Sequence, residues 1–408
     1  MLAPVADDEP RLATWRADTP GAVSRVHLNN AGAALAPRAV EDAIVAHLAR
    51  EAALGGYEAA EAVAPALEAT YQSIARLIGA ARRNVAVVQS ATIGFSQALA
   101  AFDFAPGDRI LTTRADYASN QLMLLSLARR RGAEVVRAAD LPEGGFDPDS
   151  LRELVRERRP ALVAISWVPT NSGLVQDVET AGAICAEAEV PFLVDACQAV
   201  GQLPVDVARV RCDYLAATAR KFLRGPRGIG FLYVSDRALA AGAYPLLVDL
   251  RGATWCAPDD FRLAPDARRF ETWELPAALV LGMGEAVRYA LDVGVERARD
   301  RAWMLAARAR ERLAALAGVR PTDRGRVLSA IATAHLAGRD AQAIKLELRA
   351  RGINTHVSAR DDAVLDLDGK GAAEVLRVSP HYYNTAAEID AAADALDEVL
   401  RGPARRRE

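Results

Sequence analysis

Ala217-Thr218-Ala219-Arg220-Lys221-Phe222-Leu223-Arg224-Gly225-Pro226-Arg227-Gly228-Ile229-Gly230-Phe231-Leu232-Tyr233-Val234 is the stretch that decides the fold. It leaves an apolar segment, passes a single lysine, turns through glycines and enters a second apolar run, which reads as strand, loop and strand. Lys221, Lys345 and Lys370 are the only lysines among 50 basic residues. In so arginine-rich a chain, a lysine between two predicted strands is a candidate chemical group. Its amine suits a carbonyl cofactor if burial and neighbouring cations lower its pKa. The alternative is a surface lysine before a turn.

Working outward, short apolar runs alternate with longer helical windows. The runs are Val85–Val88, Arg109–Thr112, Glu134–Val136, Ala161–Ile165, Pro191–Val194 and Tyr214–Ala217. Helices are expected from Pro37 to Ala53, Ala60 to Ile78, Ser90 to Ala101, Ala118 to Arg131 and Ser150 to Glu157. Strands alternating with helices predict parallel βα units, with ligands at the carboxyl ends of the strands. The expected fold class is therefore α/β: a large domain over residues 22–290 around a mainly parallel seven-stranded sheet. A smaller α+β domain is expected from residues 1–21 and 291–408, and proline-rich Leu250–Pro276 reads as a long loop.

Net charge is −3 and the pI about 6.1, which gives no sign of a nucleic-acid or membrane partner. Met1–Glu9 lacks the basic and apolar regions of a signal peptide, and Arg405–Glu408 reads as a solvated tail. Four cysteines without a Cys-x-x-Cys pair and five scattered histidines suggest neither a disulfide framework nor a metal site. The expectation is a cytoplasmic, metal-free enzyme acting on a small molecule.

Pyridoxal phosphate would need a lysine for its aldehyde, a helix N-terminus for its phosphate, a buried carboxylate for its ring nitrogen and an aromatic partner for its ring. Ser90-Ala91-Thr92 ends a strand and opens a helix. Asp195 ends the run Pro191–Val194, with Gln198 three residues on. Tyr117 follows the strand at Ile110–Thr112 and could stack on the ring, Asn171 could reach its hydroxyl, and Thr218 and Arg220 flank Lys221. Each taken singly has an equally good structural explanation; their joint order is what points to the cofactor.

The segments Val194-Asp195-Ala196-Cys197-Gln198-Ala199-Val200-Gly201, Thr218-Ala219-Arg220-Lys221 and Gly225-Pro226-Arg227-Gly228-Ile229-Gly230 resemble the class V aminotransferase family. These are fold-type I pyridoxal-phosphate enzymes that include cysteine desulfurases, isopenicillin-N-epimerase-like proteins and the C–S lyases of ergothioneine biosynthesis. The resemblance implies Lys221 as the Schiff-base lysine, Asp195 on the ring nitrogen, Tyr117 stacking, and Gln198 with Asn171 near the ring oxygen. Ala91, Thr92, Thr218 and Arg220 would bind the phosphate. Leu376–Thr385 resembles the family's carboxylate-binding segment and places Arg377 on the substrate carboxylate, which its fork-shaped guanidinium suits. Arg269–Glu274 resembles the stretch that reaches a partner subunit's phosphate, implying a homodimer with shared sites and Thr272 as donor.

Asn30 and His356 are further candidates for substrate contact, as is Tyr57, which is equally readable as a packing residue. The segment Gly352–Arg360 lacks the cysteine that desulfurases carry on a small-domain loop, and Cys256 lies at a different place. The early stretch Glu51–Glu61 resembles the ergothioneine-type lyases. The expected reaction is β-elimination from a cysteine S-conjugate or its sulfoxide, with Tyr117 or Tyr57 protonating the leaving sulfur. Transamination, epimerisation and decarboxylation-coupled oxidative deamination are the alternatives.

Overall fold

The computed structural model describes residues 10–402, so the Met1–Glu9 start and the Arg405–Glu408 tail lie outside it. A two-residue strand, β1 (Val26–His27), precedes the strands of the large sheet: β2 (Val85–Val88), β3 (Arg109–Thr112), β4 (Glu134–Arg137), β5 (Leu162–Ser166), β6 (Phe192–Asp195), β7 (Tyr214–Thr218) and β8 (Gly230–Val234). Their spatial order is β2-β8-β7-β6-β5-β3-β4. The four pairings from β7 to β4 are parallel, and β8 runs antiparallel to both its neighbours.

Strands β5 to β8 are buried along their whole length, as expected of a sheet covered by helices on both faces. Alternate residues serve opposite cores. Leu215 and Ala217 join Val163, Phe192, Val194 and Phe231 on one side. Tyr214 and Ala216 join Leu162, Ala164, Leu193 and Leu232 on the other.

Beyond β8 the chain forms a hairpin, β9 (Ala253–Ala257) and β10 (Asp260–Leu263), followed by a short 3-10 turn at Ala267–Phe270. This corrects the expected long loop over Leu250–Pro276. The hairpin stands out from the body with nearly every residue exposed, so no half-buried alternation marked it as strand. Two further departures are local: Gly56–Ala62 and Ala64–Ile78 are separate helices, and the helix read from Ser150 begins at Pro148.

After the helices Ala277–Val293 and Val295–Ala314 come β11 (Val319–Pro321), β12 (Ala332–Leu336), β13 (Ile353–Asn354), β14 (His356–Ala359) and β15 (Glu374–Val378). Four of them make an antiparallel sheet ordered β11-β12-β15-β14. Its core packs Leu376 and Val378 against Leu305, Leu313, Ile389 and Leu396. The last helix, Ala386–Arg401, is fixed at its start by a reciprocal Thr385–Glu388 capping box. Strand β1 pairs with β13, and Leu28 belongs to this second core. Ala31, in the turn after β1, belongs to the first core, so this turn bridges the two cores. Among the described residues no helix is long and apolar enough to cross a membrane.

Candidate active site

The carboxyl ends of β2, β3, β5, β6 and β7 open onto one rim, and the candidate residues follow them. Parallel register aligns Ser166 with Asp195 and Asp195 with Ala216, so the carboxylate at the end of β6 lies beside the loop that leaves β7. That loop carries Lys221. Gly201 lets the Asp195 segment run against it: its φ is +91° and a Cβ there would lie 2.3 Å from the Phe222 carbonyl carbon. Only glycine accepts both conditions. The loop is tied further by Ala34 N–H donating to the Arg220 carbonyl at 2.8 Å and by the His381 ring contacting the Phe222 carbonyl at 2.8 Å.

Lys221 is buried, with Nζ 5.6 Å from the centre of the Tyr117 ring. Burial pushes its pKa down. Cys197 and Asp195 pull the other way, while the Arg220 and Arg377 guanidiniums add to the lowering. The balance favours a neutral amine at lower pH than a free lysine allows, the form that acts as nucleophile or base. Asp195 Oδ1 accepts from the Cys197 amide at 2.9 Å, and Oδ2 from Asn120 Nδ2 at 2.8 Å and Ser166 Oγ at 3.3 Å. Burial raises the Cys197 thiol pKa, which makes this cysteine a packing residue and not a thiolate nucleophile.

Helix Ala91–Leu99 points its N-terminus at the same rim. Ser90 Oγ accepts from the Ile93 amide at 3.2 Å, leaving the first-turn amides of Ala91 and Thr92 outward for an anion. Arg220 donates to the Gly32 carbonyl, and Thr218 Oγ1 lies 3.5 Å from the Ile229 carbonyl. Thr272 sits at the edge of this region, its Oγ1 accepting from Gln89 Nε2 at 2.8 Å. Glu271 anchors the segment by accepting from the Val87 amide at 2.9 Å and from the Tyr71 hydroxyl at 3.1 Å.

Arg377 lies on β15 directly opposite His356 on β14. Nη1 donates to the Thr170 carbonyl at 3.0 Å and hydroxyl at 2.9 Å, and Nη2 to Asn29 Oδ1 at 3.1 Å. Burial, with Arg220 nearby, lowers its pKa to about 10, still a full cation at neutral pH. Burial and the same guanidinium hold His356 at about 4, so its ring is neutral there. Gln198 Nε2 donates to the Ala31 carbonyl at 2.9 Å and Thr170 Oγ1 at 2.7 Å, and Asn171 Nδ2 to the Asp362 carbonyl at 2.9 Å. Two polar atoms in this group, Gln198 Oε1 and Arg377 Nε, are buried without a protein partner. A ring hydroxyl and a carboxylate are the complements such atoms lack, so the residues present fit pyridoxal phosphate and an amino-acid substrate.

Within the single chain, Asn30 and Tyr57 are not brought into this group. Asn30 is consumed by the fold: its amide donates to the His27 and Ser379 carbonyls at 3.2 and 2.8 Å, and its oxygen accepts from the Tyr383 hydroxyl at 2.6 Å. Its neighbour Asn29 is the one that meets Arg377. Tyr57 is 73% exposed and lines a cavity of about 470 Å³ with Glu51, Arg251, Trp273 and Glu274, apart from the residues gathered round Lys221. Thr170, Asp116, Asn120 and Ser166 join the group although no motif marks them. The Asp116–Asn120 spacing of one helical turn was the only local signal, because their contacts are across the sheet.

Residues 26–392 match the family described as aminotransferase class-V. A probable hercynylcysteine sulfoxide lyase from Mycobacterium tuberculosis is 31% identical over 386 residues, covering 94% of this chain and 92% of the relative. A probable cysteine desulfurase from Methanothermobacter thermautotrophicus is 26% identical, covering 82% and 83%. The solved Escherichia coli cysteine desulfurase CsdA, described as the S-sulfonic acid, superposes with a TM-score of 0.87 at 25% identity over 97% of this chain and 99% of that one. The chain belongs to the class-V aminotransferase family and is a pyridoxal-phosphate-dependent enzyme.

Proposed function

We propose that this class-V aminotransferase family member is a C–S lyase that eliminates the sulfur substituent from a cysteine S-conjugate or its sulfoxide. The observation that carries the reading is a buried, pKa-lowered Lys221 between Asp195 and Arg377, in a chain whose Gly352–Arg360 segment holds no cysteine. The one exposed cysteine among the described residues, Cys256, stands on the β9–β10 hairpin. The similarity to a hercynylcysteine sulfoxide lyase across nearly the whole chain favours a sulfoxide over a plain thioether.

Bound here, pyridoxal phosphate supplies an electron sink for the charge left at the substrate's α-carbon. In this reading Arg377 grips the α-carboxylate and fixes the orientation of the α-hydrogen. Lys221 takes the α-proton onto Nζ, and the Cβ–S bond breaks with its electron pair leaving on sulfur. A thiolate departs from a thioether and a sulfenate from a sulfoxide, and water completes the release of pyruvate and ammonia. Asp195 would keep the ring nitrogen protonated, Tyr117 would cover the ring face, and Gln198 with Asn171 would face its oxygen. Tyr117 is also the candidate proton donor to the leaving sulfur. Ala91, Thr92, Thr218 and Arg220 would hold the phosphate.

The working unit in this reading is a homodimer in which Thr272 faces the other subunit's phosphate. Leu246, Leu247, Leu250, Trp255 and Trp273 support it as large apolar side chains exposed on the single chain. The test of substrate class compares matched cysteine S-conjugates, their sulfoxides and free cysteine with the purified holoenzyme. A kcat/KM highest for the sulfoxide supports the proposal. Turnover confined to free cysteine, with sulfur retained as persulfide, overturns it.

A further inference from the structure

Asp195 is not the only carboxylate buried under the site. Asp116, just beyond the end of β3, is 6% exposed, and the two are cross-braced. Asn120 Nδ2 reaches Asp195 Oδ2 at 2.8 Å and Asp116 Oδ1 at 3.2 Å. Ser166 Oγ donates to Asp116 Oδ1 and lies 3.3 Å from Asp195 Oδ2. The hydroxyl has one proton for two acceptors, so it serves one carboxylate at a time.

The other partners of Asp116 are mostly donors. Oδ1 also accepts from the Tyr117 amide at 2.7 Å, and Oδ2 from Gln121 Nε2 at 2.7 Å, with Thr112 Oγ1 at 3.4 Å. The Tyr117, Gln121 and Asn120 nitrogens can only donate, which favours a carboxylate, whereas the Ser166 and Thr112 hydroxyls can donate or accept. On balance its pKa is raised, chiefly by burial and further by the nearby Asp195, and the donors from Ser166, Gln121 and Tyr117 oppose that rise by favouring the charged form. The charged groups facing the pair are few. Arg137 on β4 is reached through Gln121 Oε1 at 2.8 Å, and Lys221, Cys197 and Arg220 stand on the Asp195 side.

We propose that Asp116 is a positioning residue for the cofactor ring, a second buried anion that locks Asp195 and Tyr117 together and strengthens the hold of Asp195 on the ring-nitrogen proton. The inference rests on the assignment of Asp195 to that nitrogen. One side chain reaches both ring contacts, Tyr117 through its own amide and Asp195 through Asn120 and Ser166. A residue that only started the following helix would need the hydrogen bonds but not the charge.

The test uses holoenzyme reconstituted with pyridoxal phosphate labelled with ¹⁵N in its ring, titrated by NMR without substrate. Asp116→Asn is expected to lower the pH at which the ring nitrogen loses its proton by about one unit, the scale of a close buried charge. It is also expected to weaken cofactor retention about tenfold, while Asp116→Glu restores most of both. Asp116→Asn with Gln121→Glu rebuilds the hydrogen bonds and moves the charge one side chain away, so it keeps a folded sample available. A ring-nitrogen titration and cofactor affinity unchanged in both the single and the double variant overturn the inference. Because no substrate is present, that result would leave the C–S lyase reading untouched. Failure of β-elimination with a normal titration shift would leave this inference standing.

Discussion

Burial lowers the Lys221 pKa, with the Arg220 and Arg377 guanidiniums adding to it, and burial of Arg377 among Thr170 and Asn29 gives it a fixed fork. Replacement by lysine keeps the charge and loses the paired N–H geometry. Arg377→Lys is expected to raise KM for the amino-acid substrate at least tenfold, with a smaller change in kcat. Steady-state kinetics check this, and an unchanged KM would remove Arg377 from the carboxylate. At this scale Lys221 was legible because lysine is so rare in the chain, and Asp195 because a carboxylate ends an apolar run. Asn29 and Asn30 look alike in sequence, but Asn30 enters a turn and spends its carboxamide on the His27 and Ser379 carbonyls and the Tyr383 hydroxyl, while Asn29 meets Arg377. Asp116 and Ser166 were invisible because what gives them meaning lies on neighbouring strands.

At the level of elements, the site depends on two loops at the carboxyl rim approaching closely. Gly201 is the contact point, with φ +91° and backbone of Phe222 where a side chain would begin. Gly201→Ala is expected to destabilise the fold by about 2–4 kcal/mol, combining a strained backbone with overpacking. A thermal midpoint lowered by several degrees would bear this out, and an unchanged midpoint would contradict the close approach. The alternating strands and helices that deliver these loops were readable because their apolar runs are short and bounded by turn residues. The β9–β10 hairpin was not, because strands exposed on both faces carry no hydrophobic alternation.

Across the whole molecule, acid should loosen the fold through buried imidazoles. Burial holds His381 at about 3 and His356 at about 4. The unfolded chain takes up these protons from about pH 6.5 downward, whereas the folded chain takes them up only at lower pH. Stability is therefore lost as pH falls from about 6.5 towards 4. The thermal midpoint should drop between pH 7 and pH 5, and drop less in His381→Gln. An equal drop in the variant would argue against His381.

Assembly is the second prediction at this scale. The apolar side chains exposed from Leu246 to Trp273 should be covered, so sedimentation should report a species of twice the chain mass. Trp255→Arg with Leu247→Arg should shift it towards monomer and lower activity together. A monomer of full activity would contradict shared sites.

The most direct test of the central claim is a product count in one reaction vessel. Wild-type holoenzyme and Lys221→Ala are each given a cysteine S-conjugate sulfoxide, and pyruvate, ammonia and the released sulfur species are quantified together. Equal amounts of all three are expected from the wild type, and a rate lower by about 10³-fold or more for Lys221→Ala. Alanine with persulfide sulfur, a keto acid that still carries the sulfur substituent, or undiminished turnover by Lys221→Ala would contradict it.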